Sequence, residues 1–394
     1  MHIVYASRTP LPHTGGLWTV VSQISTGLRN RGHQVSIVSP YQMPEFWNTV
    51  TNYFAMSIRL IFRSWLWFFV LTKMASFFLK RLMSHKKLWD KISLIDAQDP
   101  IAFLVLHKTA RRRNIPIMLT LHGYAHFEST LGSIRPDSFW GQLLLRMEKK
   151  AYKNAMRIVT VDSRIRDYVI RMGINGGKIL VRHNFVDCVT FSPATPESKS
   201  IEREHWNIEP DVKAICCARR FVEKCGVAYA IQAMDVLKER SKKIVLLIAG
   251  QGVLENKLRD LTLELNLQEH VKFLGSIKRE DLSTLLKACD AAIIPSIKID
   301  EEVEATSLSA LEAMATGIPV IASNIGGLKE IIKDGETSIL VPERDPTALA
   351  DGIEIALSAK GLSIGIASRE DILKKFSLER GIDATLSIYE DLKR

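Results

Sequence analysis

Residues 304–323 read EATSLSALEAMATGIPVIAS. Its two carboxylates, Glu304 and Glu312, are separated by seven residues and precede an apolar run that predicts a buried strand. If a helix opens from Thr306 onward, Glu304 lies just before its N-terminus and Glu312 about two turns inside it. The first backbone amides of such a helix can hold an anion such as a diphosphate, and these amides belong to Thr306, Ser307 and Leu308.

Short apolar runs alternate with longer periodic segments along the whole chain, as expected for parallel sheets covered by helices. The first half predicts strands at Ile3–Ala6, Gln34–Ser39, Leu94–Ala97, Ile117–Leu121, Ile158–Val161 and Ile179–Val181. The second half predicts strands at Ala214–Ala218, Ile244–Ala249, Val271–Leu274, Ala291–Pro295, Pro319–Ala322 and Ser338–Val341. Ligands of open parallel sheets bind beyond the carboxyl ends of the strands, so polar residues after these strands are the candidates for function.

The chain is long enough for two domains, because its 394 residues exceed what one core usually supports. A hydrophobic content of 46% is ample for two cores. Residues 186–210 are rich in Ser, Pro, Thr and charged residues, which indicates an interdomain linker. We therefore expect an N-terminal domain at residues 1–185 and a C-terminal domain that starts at residue 211.

The net charge of +10 is unevenly distributed. Residues 1–183 carry 26 Lys and Arg against 9 Asp and Glu, whereas the rest of the chain carries 27 against 34. A basic half attracts polyanions, which are nucleic acids, anionic lipid headgroups or phosphorylated substrates. The chain has no RNA-recognition signature, paired zinc-finger ligands or basic zipper, and we therefore expect no nucleic-acid partner.

Cysteine usage and the first residues both point to the cell interior. The five cysteines form no CxxC pair and no metal-spaced cluster, so the pattern predicts neither a zinc site nor a disulfide framework. The apolar run at residues 2–6 has no basic region before it and is too short for a secretory signal. We expect a cytoplasmic protein, with room for peripheral contact at the inner face of the membrane.

Residues 58–87 interrupt the alternating pattern with an apolar, Trp-rich and Phe-rich segment. On a helix, its basic residues fall within an arc of roughly 100°, opposite a broad aromatic surface. Its uninterrupted apolar part, residues 64–72, is far shorter than the ~20 residues that cross a bilayer. Two interpretations stay open: a helix lying in an anionic membrane surface, which the pair Trp65 and Trp67 favours slightly, and a domain helix packed on the sheet.

Residues 217–226 read CARRFVEKCG and follow a predicted strand. Arg219 and Lys224 are five positions apart, and two cations at the end of a strand can converge on a diphosphate. Taken alone, such cations are usually solvated loop residues. The neighbouring Glu304 and Glu312 favour a functional interpretation.

These two stretches together resemble the family 4 retaining glycosyltransferases, also described as glycosyl transferases group 1. Residues 304–323 resemble the E-x7-E signature with its following EAMA-x-G-x-PVIAS run, and residues 218–226 resemble the GR-x4-KG motif, with Ala218 where Gly is usual. The resemblance is dense over residues 211–345 and weaker in the first half. It implies an α/β chain of the GT-B fold, in which two Rossmann-like doubly wound domains face a central cleft.

The resemblance also assigns roles in the second half. It implies that Arg219 and Lys224 bind the donor diphosphate, that Glu312 accepts hydrogen bonds from the ribose, and that Glu304 contacts the donor sugar near the reacting carbon. The amides of residues 306–308 complete the donor site. The resemblance also places the nucleotide against three glycines that lie at or just after the ends of strands, namely Gly250, Gly252 and Gly275. Without the resemblance, Glu312 could equally be a paired surface residue, and the glycines could be ordinary turns.

In the first half, the resemblance implies that Gly15 and Gly16 face the donor phosphate and that His122 contacts the donor sugar or the acceptor. The alternatives without a functional role are a tight turn at Gly15 and Gly16 and a structural role for His122. Residues 376–394 resemble the closing helix of the family, which crosses back to the N-terminal domain after a C-terminal domain of residues 211–375.

The function expected from the resemblance is retaining, metal-independent transfer of a sugar from a nucleotide-diphosphate sugar, with UDP favoured over GDP. No metal ligand and no cofactor are expected, because Arg219 and Lys224 take the role that a divalent ion has elsewhere. The expected acceptor is a glycan or a lipid-linked saccharide of envelope or exopolysaccharide synthesis. Two rivals stay open: a GT-B sugar-nucleotide epimerase, and a catalytically silent nucleotide-sugar-binding protein at a membrane.

Overall fold

The computed structural model describes residues 1–9, 15–39, 76, 77, 79, 89–123, 138–240, 242–299 and 303–393. The chain folds as two compact units. Unit 1 comprises residues Met1–His183 and Gly381–Arg394, and unit 2 comprises Asn184–Arg380. The aromatic segment 58–87 lies outside the described residues, apart from positions 76, 77 and 79. No helix within these described ranges is both long enough and apolar enough to span a membrane.

Unit 1 contains a six-stranded sheet in the order β2-β1-β3-β4-β5-β6, in which all neighbours are parallel. Its strands are β1 His2–Ala6, β2 Gln34–Val38, β3 Leu94–Ala97, β4 Ile117–Leu121, β5 Ile158–Thr160 and β6 Ile179–Val181. Its helices within the described residues include α1 Gly16–Asn30, α2 Pro100–Arg112, α3 Phe139–Asn154 and α4 Ser163–Arg171. The central strands β1, β3 and β4 are buried along their whole length, as their continuous apolar runs predict.

Unit 2 contains a second parallel sheet, in the order β12-β11-β10-β7-β8-β9. Its strands are β7 Lys213–Ala218, β8 Ile244–Ala249, β9 Val271–Gly275, β10 Ala291–Ile294, β11 Val320–Ser323 and β12 Ile339–Val341. Its helices include α5 Pro196–His205, α6 Val227–Glu239, α7 Glu255–Glu264, α8 Arg279–Ala288, α9 Leu308–Ala315, α10 Leu328–Ile331, α11 Pro346–Ala356 and α12 Ala359–Lys375. The sheet has the strand order of dinucleotide-binding domains. All its strands are parallel, and the order in which they are added to the sheet reverses between β7 and β10.

The sheet of unit 2 is buried on both faces, because alternate residues of one strand enter different cores. Cys216 of β7 and Leu247 of β8 belong to one apolar cluster, whereas their neighbours Cys217 and Leu246 belong to another. Successive side chains of a strand point to opposite faces, so the two clusters cover the two faces of the sheet. This arrangement confirms the doubly wound architecture.

All twelve predicted strands are present, with ends that differ by at most one residue from the prediction. Several helices begin where a capping side chain and a proline coincide. Asp99 accepts hydrogen bonds from the amides of Ile101 and Ala102 at the start of α2, and Asp345 accepts from Ala348 at the start of α11. In both helices proline occupies the first position, where a missing N–H costs nothing.

The segment 186–210 differs from the linker that its composition predicts, because it folds onto unit 2. Thr195 caps α5 with Pro196 at the first helical position. Arg203 and Lys199 of α5 both bind the Asp290 carboxylate, at 3.2 and 2.9 Å. A Ser, Thr and Pro content is typical of helix N-termini as well as of linkers, and here it starts a helix.

The last helix, α13 Leu378–Lys393, contributes most of its length to unit 1. Its Tyr389 is fully buried and donates a hydrogen bond of 2.8 Å to the Asp96 carboxylate of β3. Its Thr385 accepts a hydrogen bond of 2.7 Å from Arg182. A segment that follows unit 2 in sequence therefore completes the core of unit 1.

Candidate functional site

The strongest candidate site lies in unit 2, where the loops after β7 and β10 meet. These strands are hydrogen-bonded neighbours at the point where the strand order reverses. Arg219 directly follows β7, and Ser296 follows β10 by two residues. The crevice at such a switch point is where open parallel sheets bind their ligands.

Arg219 joins three polar residues at this point. Its guanidinium forms a two-point ion pair with Glu304, with Nη2–Oε2 at 2.7 Å and Nη1–Oε1 at 3.3 Å. It also donates to the hydroxyls of Ser296 and Ser307, at 2.8 and 3.2 Å. Its remaining donor, Nε, is buried and has no acceptor among the described residues. The structure therefore brings the predicted Arg219, Glu304 and Ser307 into one cluster.

The two charges stabilise each other inside the protein. Side-chain exposure is 7% for Arg219 and 14% for Glu304. Burial by itself would raise the pKa of Glu304, but the charge and hydrogen bonds of Arg219 outweigh it and leave the pKa below its usual value. Burial opposes the charge of Arg219 in the same way, and the attraction of Glu304 raises its pKa instead. Both groups are thus ionised at neutral pH.

Lys224, the second predicted cation, is half-buried in the short turn before α6. Its positive charge is among the influences that lower the pKa of Glu304. Its carbonyl accepts a hydrogen bond of 2.9 Å from the Ile297 amide, which joins the loop after β7 to the loop after β10. Lys224 is therefore placed next to the Arg219–Glu304 pair, as its spacing in the sequence predicts.

Helix α9 begins at Leu308, two residues later than the sequence suggests, with Ser307 as its N-cap. The Ser307 side chain makes no capping hydrogen bond and accepts instead from Arg219. Ser309 of the first turn donates to the Ala218 carbonyl at 3.2 Å, and Asn184 donates to the Thr306 carbonyl at 2.8 Å. These contacts fix the N-terminal end of α9, with its positive dipole, beside Arg219.

The predicted glycines pack closely around the loop that carries Arg219. A Cβ on Gly250 would lie 1.9 Å from the Arg219 carbonyl oxygen, and one on Gly252 would lie 2.5 Å from the Phe221 carbonyl oxygen. The Gly250 amide donates to the Gly275 carbonyl at 2.7 Å. Only glycine fits these close approaches, so packing alone accounts for Gly250 and Gly252, and their predicted role in donor binding stays a prediction.

Glu312 is not part of the Arg219 cluster. It is buried in α9 and forms an ion pair of 2.7 Å with Arg279, the first residue of α8. Burial raises the pKa of Glu312 to about 7, although the charge and hydrogen bond of Arg279 work against this rise. The Arg279 guanidinium stacks over the Phe191 ring, with 4.9 Å from Cζ to the ring centroid, and its Nη2 is buried without an acceptor among the described residues.

The predicted residues of unit 1 follow two of its strands, β1 and β4, in sequence. Gly15 is the N-cap of α1 and Gly16 its first residue, and both are exposed, with no acidic residue in the first turn. Residues 12–14, which the sequence places next to them, lie outside the described residues. His122 follows β4 and forms a hydrogen bond of 2.8 Å with Gln98, which follows β3.

Sequence reasoning missed two residues of the site in unit 2. Ser296 is fully buried against Arg219 and Glu304, and its place just beyond a strand could have revealed it. Arg279 carries no such signal, because it pairs with Glu312 across two helices that are distant in sequence. Within the described ranges, no three His, Cys, Asp or Glu residues form a cluster that could hold a metal ion.

Two family models match the chain, one on each half. The model of glycosyl transferases group 1 matches residues 198–372, and that of glycosyltransferase family 4 matches residues 14–189. An uncharacterized glycosyltransferase of Methanocaldococcus jannaschii, MJ1607, is 28% identical over 95% of this chain and 94% of that protein. The putative colanic acid biosynthesis glycosyltransferase WcaL of Escherichia coli is 31% identical over 46% of this chain and 42% of its own length.

A solved structure similar to this chain is that of Anabaena Alr3699/HepE in complex with UDP. Its TM-score is 0.74 at 18% identity, and the match covers 99% of this chain and 100% of that one. The same Anabaena protein has also been solved with UDP-glucose. This likeness, over the whole length of both chains, shows the GT-B fold of two Rossmann-like domains.

Proposed function

This chain belongs to the family 4 glycosyltransferases of the GT-B fold, and from that premise we propose that it transfers a hexose, with retention and without a metal ion, from a nucleotide-diphosphate sugar to a glycan or lipid-linked acceptor. Glycosyltransferase activity follows from the family. The donor, the stereochemistry, the metal independence and the acceptor are the proposal. No cofactor takes part, and the nucleotide sugar is a substrate.

The observation that carries the proposal is the buried pair of Arg219 and Glu304 at the end of α9. A donor diphosphate supplies the negative charge that Arg219 otherwise finds in Glu304, and Nε of Arg219 offers one more donor. Lys224 and the amides of residues 306–308 complete the anion site. The Glu304 carboxylate then accepts hydrogen bonds from the hydroxyls of the sugar.

Metal independence is supported by this use of cationic side chains. Charge that develops on the leaving diphosphate in the transition state needs fixed positive groups nearby, and removal of one such group typically costs about 10²- to 10³-fold in rate. Arg219 provides one of them in a buried setting and Lys224 another in a half-buried setting, where their charges act more strongly than in water.

UDP is favoured as the nucleotide because the similar Anabaena protein has been solved with UDP and with UDP-glucose. An acceptor in exopolysaccharide synthesis is favoured by the likeness to a putative glycosyltransferase of colanic acid biosynthesis. The excess of 26 basic over 9 acidic residues in positions 1–183 supports an acceptor or a membrane surface that is anionic.

The first test is the thermal midpoint of the purified protein with UDP, GDP, ADP and dTDP. A nucleotide at ~100 times its dissociation constant stabilises a protein by about 2.7 kcal/mol. UDP should raise the midpoint of the wild type and of Arg220→Ala, a variant at the exposed neighbour of Arg219, but not that of Arg219→Ala. If no nucleotide changes the wild-type midpoint, the assigned donor site is wrong.

The second test identifies the reaction. Incubation with UDP-sugars and a membrane fraction, with and without EDTA, should give a product whose anomeric configuration, measured by NMR, equals that of the donor. Inversion would refute retention, and loss of transfer with EDTA would refute metal independence. Conversion of the donor to its epimer without any acceptor would identify an epimerase instead.

A further inference from the structure

Gln98 and His122 form a polar pair in unit 1 that the proposed mechanism leaves unexplained. Each follows one of two neighbouring strands, β3 and β4, which pair in parallel at Ala97 and Leu119. The Gln98 side-chain oxygen lies 2.8 Å from His122 Nε2. Gln98 is only 5% exposed, so little water competes for this hydrogen bond. The pair therefore fixes one edge of the imidazole ring.

The direction of this hydrogen bond follows from the other end of the Gln98 amide. Its nitrogen lies 3.2 Å from the backbone carbonyl of Asp96, which can only accept. The amide NH2 group must therefore face Asp96, and the amide oxygen must face His122. An oxygen that accepts requires a proton on the imidazole nitrogen opposite it, and that nitrogen is Nε2.

The ring is neutral, so the position of one proton decides what it can do. Burial, with a smaller contribution from the charge of Arg182, lowers the pKa of His122 to about 3. In a neutral imidazole one nitrogen donates and the other accepts. With the proton held at Nε2, the second nitrogen, Nδ1, carries a lone pair and has no hydrogen-bond partner within the described part of the chain.

We propose that Gln98 is a positioning residue, which holds His122 in the Nε2–H form so that Nδ1 accepts a hydrogen bond from a hydroxyl group of a bound sugar. The role of the hydroxyl rests on the proposed glycosyl transfer. The assignment of the proton rests on the Asp96, Gln98 and His122 geometry together with the neutral state of the ring. His122 then acts as a fixed hydrogen-bond acceptor and not as a general acid.

The Asp96 residue that orients the Gln98 amide is itself buried and hydrogen-bonded. The Asp96 carboxylate accepts hydrogen bonds from Thr120 at 2.7 Å and from Tyr389 at 2.8 Å. The Tyr389 hydroxyl also contacts that of Tyr5 at 2.7 Å. These bonds hold the backbone of β3, whose carbonyl at Asp96 orients the Gln98 amide. The C-terminal helix is therefore connected to His122 through a chain of hydrogen bonds.

Nitrogen NMR of histidine-labelled protein tests the proton position directly. The signal of His122 is identified by its absence in His122→Gln. In the wild type at pH 7, the Nε2 signal should be that of a protonated nitrogen and the Nδ1 signal that of an unprotonated one. The opposite assignment would overturn the proposal, whatever the enzymatic activity of the protein.

Three variants separate positioning from a merely structural effect. Gln98→Met, of similar size but without an acceptor, should release the ring, so that a substantial share of His122 carries its proton on Nδ1. Gln98→Glu keeps an acceptor and should keep the proton on Nε2. Thr120→Val removes a hydrogen bond to Asp96 and should lower stability without moving the proton. An unchanged His122 signal in Gln98→Met would refute the role of Gln98.

Activity provides the second readout. Gln98→Met should lower kcat by about tenfold, the equivalent of one hydrogen bond. The affinity for UDP should not change, since the residues assigned to UDP belong to unit 2. If the proton of His122 moves to Nδ1 in Gln98→Met but kcat does not change, His122 Nδ1 does not accept a hydrogen bond from a hydroxyl during transfer. If UDP does not bind to the wild type and UDP-sugars do not support transfer, the proposed function fails while the NMR result still decides the proton position.

Discussion

The two sheets have nearly the same architecture but place opposite kinds of polar groups near the carboxyl ends of their central strands. Unit 2 buries charges in pairs, Arg219 with Glu304 and Arg279 with Glu312. At the ends of β3 and β4, unit 1 instead places Gln98 and His122, which are joined by a hydrogen bond and of which neither carries a charge at neutral pH. Burial raises the pKa of Asp96, and it lowers that of His122 to about 3. Architecture thus fixes where the polar groups lie, and their partners decide whether they carry charge.

The difference between buried ion pairs in unit 2 and a hydrogen-bonded network in unit 1 suits the two units to different ligands. A charged pair can exchange its internal partner for a charged ligand, because the desolvation of both groups has already occurred when the protein folded. A network of hydrogen bonds offers directed donors and acceptors, and these distinguish hydroxyl groups better than they attract anions. Unit 2 is thereby suited to a diphosphate, and unit 1 to the hydroxyls of sugars.

The largest effect is expected from Arg219→Ala, which leaves the Glu304 carboxylate buried without its main partner. Loss of one member of a buried ion pair costs about 3 to 5 kcal/mol of unfolding free energy, and loss of the cation should lower transfer by about 10²-fold or more. Urea unfolding and initial rates measure the two effects. Arg220→Ala, at the exposed neighbouring residue, should change neither by much.

The double variant Arg219→Met with Glu304→Leu sharpens this test. Replacement of a buried ion pair by apolar side chains is often neutral for stability. The double variant should therefore recover most of the stability that Arg219→Ala loses, and it should remain inactive. If the double variant is no more stable than Arg219→Ala, the pair is not energetically coupled as its geometry suggests.

A smaller effect is expected on the pH dependence of stability, to which Glu312 contributes. Its pKa rises from the usual 4.5 to about 7 in the folded protein, so the folded state holds the proton more tightly than the unfolded chain. The resulting stability is fully present below about pH 4.5 and is lost as the pH rises through 7. The wild type should thus lose about 1 to 3 kcal/mol relative to Glu312→Gln between pH 5 and 8.

Urea unfolding of both proteins at pH 5, 6, 7 and 8 measures this difference. The exposed Glu336→Gln is the matched control, and it should follow the wild-type curve at every pH. A constant difference between the wild type and Glu312→Gln would mean that Arg279 keeps Glu312 charged throughout this range, in which case both pairs of unit 2 would be permanently ionised.

The smallest effect is expected from Tyr389→Phe in the hydrogen-bonded network of unit 1. This change removes the hydrogen bonds to Asp96 and Tyr5, and it should cost about 1 to 2 kcal/mol of stability with no change in UDP affinity. Tyr229→Phe, at a half-buried tyrosine of unit 2, is the control. A change in UDP affinity in Tyr389→Phe alone would show that the two kinds of site are not independent.

The strands were predictable from sequence because each is a short apolar run that ends at turn residues. The resemblance to the family predicted one site for Arg219, Glu304 and Ser307, and polar residues beyond neighbouring strands do converge. The direct ion pair between Arg219 and Glu304 was not predicted. The pairing of Glu312 with Arg279 was not, because nothing in either helix indicates which of its faces meets the other. The segment 186–210 was misinterpreted because Thr195 and Pro196 are equally typical of a linker and of a helix start.

The return of the C-terminal helix to unit 1 has a consequence for how the protein is made. Tyr5 and Tyr389, which share a buried hydrogen bond, are 384 positions apart in the chain. Unit 2 is one continuous segment and can fold without residues from any other part of the chain, but unit 1 must wait for residues 381–393 to leave the ribosome. Until then, the Asp96 carboxylate lacks its tyrosine partner. The domain that is synthesised first is therefore the one completed last.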